Sequence, residues 1–243
     1  MRGVLAMTRS IAGFFGRGVW AGALILLLGV FAFKAGKEGL SNFFAQSAYL
    51  EIERWSKPGQ AFRADDRTRV MQYLAKSLYY SANNPWSLEE RGALQLRGMS
   101  TAKDAQLAVA AARSANVDFR MALVERPTSP FPWASFALTK LHLGELDDEF
   151  FRALGHAEEL GPWEPEVQQA VVFAGLAVWD RLNPDLQAGV LRAMQRGAQR
   201  NAVKFGEIAK TFKRIDLFCA ISKTTPQGRE VCSQISKYGK KSS

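Results

Sequence analysis

The segment from residue 127 to residue 165 predicts two short helices joined by a tight turn, and it constrains the fold more than any other part of the chain. Ser129 can cap the first helix, with Pro130 in the first helical position, where a missing N–H costs nothing. Gly144 follows at the end of the apolar pattern, where a helix commonly stops. The first helix therefore has a start signal and a stop signal of its own.

The second helix of this pair begins after the glycine. Either Asp147 or Asp148 can cap it, and their negative charge suits the positive end of the helix dipole. Apolar residues then recur at helical spacing until Gly161-Pro162 stops the helix. We predict this pair to be the structural centre of the fold, with the ring of Trp133 buried in it. The residues that define the pair are Trp133, Ala137, Gly144, Phe150, Leu154, Ala157, Pro162, Trp163 and Pro165.

Neither helix can bury its apolar face alone, so the pair must stack on further helices, as a tetratricopeptide-type unit does. A second pair opens at Pro85 in the same way as this one opens at Pro130, about 45 residues apart, which is longer than a strict tetratricopeptide period of about 34. No run of β-branched residues alternates with period two. The sequence therefore predicts an all-α fold, an irregular tetratricopeptide-like solenoid of helical hairpins.

The stretch from Gly18 to Phe33 is sixteen residues without a charge, bounded by Arg17 and Lys34. With its apolar flanks it is long enough to cross a bilayer. Three interpretations compete, namely an uncleaved signal anchor, a cleaved signal peptide and a buried core helix. A cleaved signal peptide needs small residues just past the apolar run, and Phe33 stands where one is wanted. We therefore predict an uncleaved anchor and one N-terminal transmembrane helix.

The charges around this stretch predict its orientation. Arg2, Arg9 and Arg17 precede the span, and Lys34 and Lys37 follow it. The modest bias places the N-terminus in the cytoplasm and the rest of the chain outside it.

Four segments follow from these patterns. They are a basic N-terminus over 1–17, the transmembrane anchor over 18–35, a helical domain over 36–191 and a basic C-terminal region over 192–243. An amphipathic helix is expected to continue past the anchor until Pro58-Gly59 breaks it. Its apolar side carries Leu40, Phe43, Phe44, Ser47 and Leu50.

Basic residues concentrate at the C-terminal end. The chain has a net charge of +9, and residues 192–243 carry twelve Lys/Arg against three Asp/Glu, whereas residues 1–191 balance. A basic face can meet an anionic polysaccharide, anionic headgroups or an acidic groove of a protein, or it can simply be solvated. The membrane segment argues against nucleic acid. Candidate contacts to an anionic partner are Arg192, Arg196, Arg200, Lys210, Lys213 and Arg214.

Two cysteines, Cys219 and Cys232, lie thirteen residues apart. In an oxidising compartment they can form a disulfide, and the predicted topology places them in one. The alternative is two unrelated thiols. The spacing does not match a CxxC metal site.

No sequence motif indicates catalysis or cofactor binding, since GxSxG, P-loop and GxGxxG motifs are absent. His142 and His156 lack further ligands at metal-binding spacing, so no metal site is predicted. The acids at 147–149 fit a helix start. Those at 89–90 and 158–159 are interpreted as solvated helix faces.

Three aromatic residues, Phe131, Trp133 and Trp163, either pack in the core or form a platform for sugar stacking. Their helical spacing beside prolines favours packing.

The central pair, with the sequence PWASFALTKLHLGELDDEFFRALGHAEELGPWEP, resembles the VpsP-type exopolysaccharide-biosynthesis family, as do the N-terminal span and the overall length. The resemblance implies a component of the bacterial envelope that serves exopolysaccharide production. It implies no catalytic residues.

We expect a non-catalytic scaffold or partner-binding module, anchored in the inner membrane with its helical domain in the periplasm. Its expected partners are envelope proteins, with an anionic polysaccharide as a further candidate. One alternative is a glycan-acting enzyme of the same pathway, and another is an assembly factor of a different envelope complex.

Overall fold

The computed structural model describes residues 2–55, 64–99, 104–223 and 225–239. Throughout these residues the chain is helical with no strand, which confirms the predicted all-α class. The α-helices are α1 (Arg2–Trp55), α2 (Ala64–Tyr80), α3 (Pro85–Met99), α4 (Ala105–Glu125), α5 (Pro130–Leu143), α6 (Asp148–Leu160), α7 (Pro165–Ala177), α8 (Pro184–Thr211), α9 (Ile215–Ser222) and α10 (Pro226–Gly239).

Two compact units make up the chain, Met1–Ala82 and Asn83–Ser243. These bounds differ from the predicted segments. The predicted boundary at 35/36 lies inside α1 and the one at 191/192 lies inside α8. Both helices run on because no proline stands at either point. The predicted break at Pro58-Gly59 lies outside the described residues.

In the first unit, α1 carries the apolar run. From residue 20 to residue 40 every described side chain is exposed, including Trp20, Ile25 and Phe33 at 70% or more. The mean hydropathy of its most apolar window is 1.5, and none of that window is buried. This is the one candidate membrane-spanning helix among the described residues, and it fits single-pass anchoring near the N-terminus.

Beyond the apolar run, α1 packs on α2 through small residues. Ser41, Ala45 and Ala48 are buried, and the hydroxyl oxygen of Ser41 lies 3.0 Å from that of Ser77. Of the predicted apolar side, Leu40, Phe43 and Leu50 are instead 45–64% exposed. Phe44 and Ser47 of that side are half-buried, so the packed face only partly overlaps the predicted one. Small side chains along the packed face let the two helices approach closely.

The second unit contains three helix pairs, α3/α4, α5/α6 and α7/α8, followed by α9 and α10. From the sequence we expect Pro130, Pro165 and Pro184 to open helices. Proline indeed stands first in α5, α7 and α8, and also in α3. The first helices of the pairs contact one another in turn, α3 with α5 and α5 with α7, and α6 contacts α8. This stacking of helical hairpins is that of a helical-repeat solenoid.

The central pair has the predicted end signals. Gly144 adopts a left-handed conformation with φ of 72° at the end of α5. The Asp147 carboxylate accepts a hydrogen bond from the Phe150 amide at 3.1 Å, so Asp147 is the cap and Asp148 is the first helical residue. Ser129 holds the cap position of α5, but its hydroxyl makes no capping hydrogen bond.

The core of the second unit lies between the paired helices. Of the predicted motif, Ala137, Phe150, Leu154 and Ala157 are buried there. Other large buried side chains in this core are Phe119, Val167, Val171, Met194, Phe205 and Phe218.

Trp133 is only half-buried. Its indole N–H donates to the carbonyl of Pro127 at 2.7 Å, and its ring packs 4.8 Å from that of His156. Trp163 is 61% exposed and Phe131 37% exposed. Phenylalanine and aliphatic side chains therefore form the core, and Trp133 and Trp163 lie at its edge.

Truncation of Trp133 to alanine is expected to lower the free energy of unfolding by about 2 kcal/mol, below the usual range for a fully buried aromatic ring, because part of the ring is already in water. Thermal unfolding of the detergent-purified chain, followed by circular dichroism, measures the change. The matched control is Trp163→Ala, for which we expect a change below about 0.5 kcal/mol. Equal losses for the two variants would contradict the packing described.

A kink divides α8. Asn201 departs from helical geometry with φ of −149° and ψ of 77°, and its side-chain oxygen accepts a hydrogen bond from the Lys204 amide at 3.0 Å. Asn201 thereby caps the second half of α8, which contacts α9 and leads to the cysteines. From the sequence we expect two separate helices here, one from Pro184 through Met194 and a basic one from about Arg200 to Arg214.

Cys219 of α9 and Cys232 of α10 form a disulfide, with their Cα atoms 5.7 Å apart. The predicted pairing is confirmed. A disulfide is characteristic of an oxidising compartment.

Candidate functional site: a groove along the first helices

Two adjoining cavities of about 620 and 540 Å³ follow the first helices of the three pairs. They share Leu138 of α5 and Glu166 and Ala170 of α7. Residues of α3 line the first cavity, and the second half of α8 lines the second. Because they share walls, we treat them as one surface and call it the groove.

The floor of the groove is apolar. Apolar residues of α3, α5 and α7 provide it, and Ile208 contributes from the second half of α8. The floor residues are Ala93, Leu96, Phe131, Ala134, Leu138, Val167, Ala170 and Phe173. A floor of this kind takes up apolar side chains of a ligand, since their transfer from water is favourable.

Charged residues surround the first cavity, and they include the two acids predicted to lie on a solvated face. Glu89 and Glu90 are half-buried, which corrects that prediction. Glu89 accepts a hydrogen bond from Arg126 at 3.3 Å. Burial raises the pKa of Glu89, and the charge of Arg126 only partly opposes that rise.

Glu90 faces a second carboxylate across the same cavity. Burial raises the pKa of Glu90, the charge of Arg97 opposes the rise, and the charge of Glu166 adds to it. A cationic group of a ligand placed between Glu90 and Glu166 would favour their charged forms.

The second cavity is closed on one side by α8 beyond its kink. Lys204 and Glu207 of that segment line it, opposite Phe173 of α7 and His142 of α5. Burial lowers the pKa of His142, so this imidazole is neutral at pH 7. The kink at Asn201 therefore adds Lys204 and Glu207 to an end of the groove where α5 and α7 provide both apolar and polar side chains.

The predicted acidic cluster at 147–149 serves a different role, because it surrounds a buried lysine. Lys140 is 2% exposed, and its ammonium lies 2.8 Å from Asp147, 3.2 Å from Glu149 and 3.4 Å from Glu145. Arg120 donates two hydrogen bonds to Glu149, at 2.7 and 2.9 Å. Together these five side chains form the Lys140 network, which ties α4, α5 and α6 to the turn at Gly144.

The charges of the Lys140 network shift its pKa values. The hydrogen bond from Arg120, followed by that from Lys140, lowers the pKa of Glu149 to about 2 against the opposing effect of burial. The hydrogen bond from Lys140 lowers the pKa of Asp147. Burial opposes charging of Lys140, but its hydrogen bonds to Asp147 and Glu149 outweigh burial and raise its pKa.

Glu158 is likewise buried, at 9% exposure, and does not lie on a solvated face as predicted. Arg192 donates two hydrogen bonds to it, at 3.1 and 2.7 Å, and Arg196 donates a third at 3.1 Å. The guanidinium of Arg196 also lies 5.1 Å from the centre of the Trp163 ring. Two of the six predicted anionic-partner residues therefore share one carboxylate of their own chain.

Of the remaining four predicted contact residues, two have hydrogen-bond partners within the chain and two are exposed. Arg200 donates to the Trp163 carbonyl at 2.8 Å, and Arg214 donates to Asp180. Lys210 and Lys213 are exposed. The anionic-partner face stays a prediction, but most of its side chains already have partners within the chain.

Within the described ranges, no three His, Cys, Asp or Glu side chains gather at a spacing that could hold a metal ion. The two histidines lie at different places, His156 against Trp133 and His142 in the groove.

Sequence reasoning missed the groove. One signal is visible in retrospect: α5 and α7 are apolar around much of their circumference and lack a single stripe. A helix of that kind has a second apolar surface to cover. The sequence alone does not say that these surfaces adjoin.

No family model, curated protein or solved structure matches this chain.

Proposed function

We propose that this protein is a non-catalytic, membrane-anchored adaptor that holds a segment of an envelope protein in the groove along α3, α5 and α7. The observation that carries the proposal is the groove itself. Its apolar floor can hold apolar side chains, and the Glu90–Glu166 pair can hold a basic one. Helical-repeat proteins use extended surfaces of this kind to bind other chains.

We further propose that α1 anchors the protein in a bacterial inner membrane with the N-terminus in the cytoplasm. The charges around the apolar run support this orientation. The Cys219–Cys232 disulfide supports a periplasmic second unit, because disulfides persist in oxidising compartments. A role in exopolysaccharide production rests on the resemblance of residues 132–165 alone.

A charged substitution in the groove tests the adaptor function. Ala170 is shared by both cavities, and Ala170→Arg is expected to block partner binding without unfolding the chain, because the long side chain reaches into open space. In a strain that lacks the native gene, this variant should fail to restore extracellular polysaccharide. A photo-crosslinking residue at Leu138 should capture one discrete membrane or periplasmic protein.

Ala188→Arg is the matched control, since Ala188 is exposed on α8 and lines neither cavity. This variant should restore polysaccharide as the parent does. Full activity of Ala170→Arg at normal abundance would count against the groove as the binding site. A deletion strain with normal polysaccharide but a defect in another envelope complex would support the assembly-factor alternative.

The groove also contains a candidate general acid for the alternative that the protein is an enzyme. Glu90 combines a raised pKa with a second carboxylate, Glu166, in one cavity, which is a pattern that general acids share. The carboxylates of Asp147, Glu149 and Glu158, by contrast, are held in ion pairs. Glu90→Gln separates the two functions. An enzyme should lose turnover by a factor of about 100 or more. An adaptor should only bind its partner more weakly, by less than about tenfold, because Glu166 still meets the basic group.

A further inference from the structure

The end of α2 lies beside α1 at the point where the apolar run of α1 finishes. A notch of about 720 Å³ opens between them within the first unit. It is lined by Phe33, Gly36, Lys37, Leu40, Tyr79 and Tyr80.

The contacts between α1 and α2 show where the notch lies along α1 relative to the apolar run. The Ser41–Ser77 hydroxyl contact and the Arg69–Glu51 ion pair show that the two helices run antiparallel. Tyr80 is three residues beyond Ser77, or about 4.5 Å nearer the apolar run. A bilayer core takes about 20 helical residues, so a span that begins at Gly18 ends near Lys37. The two tyrosines therefore stand where hydrocarbon gives way to headgroups.

The residues at this height have the chemistry of a membrane surface. Tyr79 is 80% exposed and Phe33 is 70% exposed, and both continue the exposed apolar surface of α1. Tyrosine is enriched at membrane–water boundaries because its ring is apolar and its hydroxyl is polar. The exposed ammonium groups of Lys34 and Lys37 can reach lipid phosphates.

We propose that this notch is a phospholipid-binding site at the membrane surface. The upper part of an acyl chain lies against Phe33 and Leu40, Lys37 faces the phosphate, and the tyrosines occupy the ester layer. In this arrangement the end of α2 contacts the bilayer surface and thereby fixes how deeply α1 is inserted in the bilayer. The proposal rests on the membrane anchoring in the proposed function and adds a lipid site to it.

Spin labels on the full chain in phospholipid nanodiscs, one chain per disc, test the site. Single cysteines at three exposed positions, Leu26, Ala75 and Thr68, carry the label, while the native cysteines stay in their disulfide. Collision rates with oxygen and with a water-soluble nickel chelate report depth. We expect Leu26 in the hydrocarbon, Ala75 in the headgroup layer and Thr68 in water, about 10 Å further out than Ala75.

The three positions separate the two proposals. A water-exposed label at Leu26 would overturn the anchoring and the lipid site with it. A deep label at Leu26, together with a label at Ala75 as accessible to nickel as the one at Thr68, would overturn the lipid site alone. Because each disc holds a single copy of this chain, shielding at Ala75 cannot come from self-association.

Two variants at Tyr79 then test the aromatic residue itself. Tyr79→Asp is expected to raise the nickel collision rate at Ala75 roughly two-fold or more, because a carboxylate is costly at the edge of the hydrocarbon. Tyr79→Trp should leave the rate unchanged, since tryptophan suits the same layer. Circular dichroism checks that both variants stay helical. An unchanged rate in Tyr79→Asp would overturn the role assigned to Tyr79.

Discussion

Replacement of Lys140 with methionine is expected to lower the free energy of unfolding by about 2–3 kcal/mol, somewhat less than the loss typical for breaking a fully buried ion pair. Methionine keeps most of the packing of this side chain, which is 2% exposed, but removes the charge that three carboxylates share. The carboxylates are 37–54% exposed, so water compensates part of the loss. Chemical denaturation of the detergent-purified chain measures it.

Lys210→Met is the matched control, because Lys210 is exposed. Its effect should stay within about 0.5 kcal/mol. If both variants lose the same stability, the Lys140 network does not stabilise the fold in solution.

The same network predicts how stability depends on pH. Glu149 has its pKa lowered from 4.5 to about 2, so its contribution is complete above about pH 4.5 and disappears as the pH falls towards 2. Asp147 shifts in the same direction. The parent should therefore lose stability across this acid range. In Lys140→Met the loss should be smaller, because Arg120 is then the remaining cation that lowers the pKa of Glu149.

Local signals predicted the helices well because their causes are local. Pro130, Pro165 and Pro184 each stand first in a helix, and Asp147 caps the helix that follows it. The disulfide was predictable from compartment and spacing. Each helix prediction depends on residues within one or two turns of one another. The disulfide prediction depends on the predicted membrane topology.

Burial was harder to predict because its causes lie far away in the sequence. Glu158 is buried because Arg192 and Arg196, 34 and 38 residues later, donate hydrogen bonds to it. Ser41 is buried because Ser77 lies opposite it on α2. Hydrophobicity ranks both residues as surface residues, and only the tertiary partner reverses that ranking.

The candidate site was harder still to predict, since it combines surfaces from five helices. The apolar floor depends on the stacking of α3, α5 and α7. Its second cavity also depends on the kink at Asn201, which brings Lys204 beside α7. No single segment of the sequence contains this information.

Gly197→Ala is expected to lower the free energy of unfolding by about 2 kcal/mol. The kink in α8 brings the ring of Phe205 onto Gly197, where an added methyl carbon would overlap the ring atom Cζ. Phe205 is 2% exposed, so its ring has no room to withdraw. Overpacking of this kind costs about 3 kcal/mol, and the better helix propensity of alanine offsets only about 1 kcal/mol of that cost.

Gly155→Ala provides the matched control, because the same change in α6 meets its nearest neighbour, Leu186, at an ordinary 3.4 Å. It should raise the free energy of unfolding by about 0.5–1 kcal/mol, since alanine loses less conformational entropy than glycine in a helix. The two substitutions should therefore shift thermal unfolding in opposite directions. A stabilising Gly197→Ala would mean that Phe205 does not pack on Gly197, and hence that α8 does not turn at Asn201 to close the second cavity.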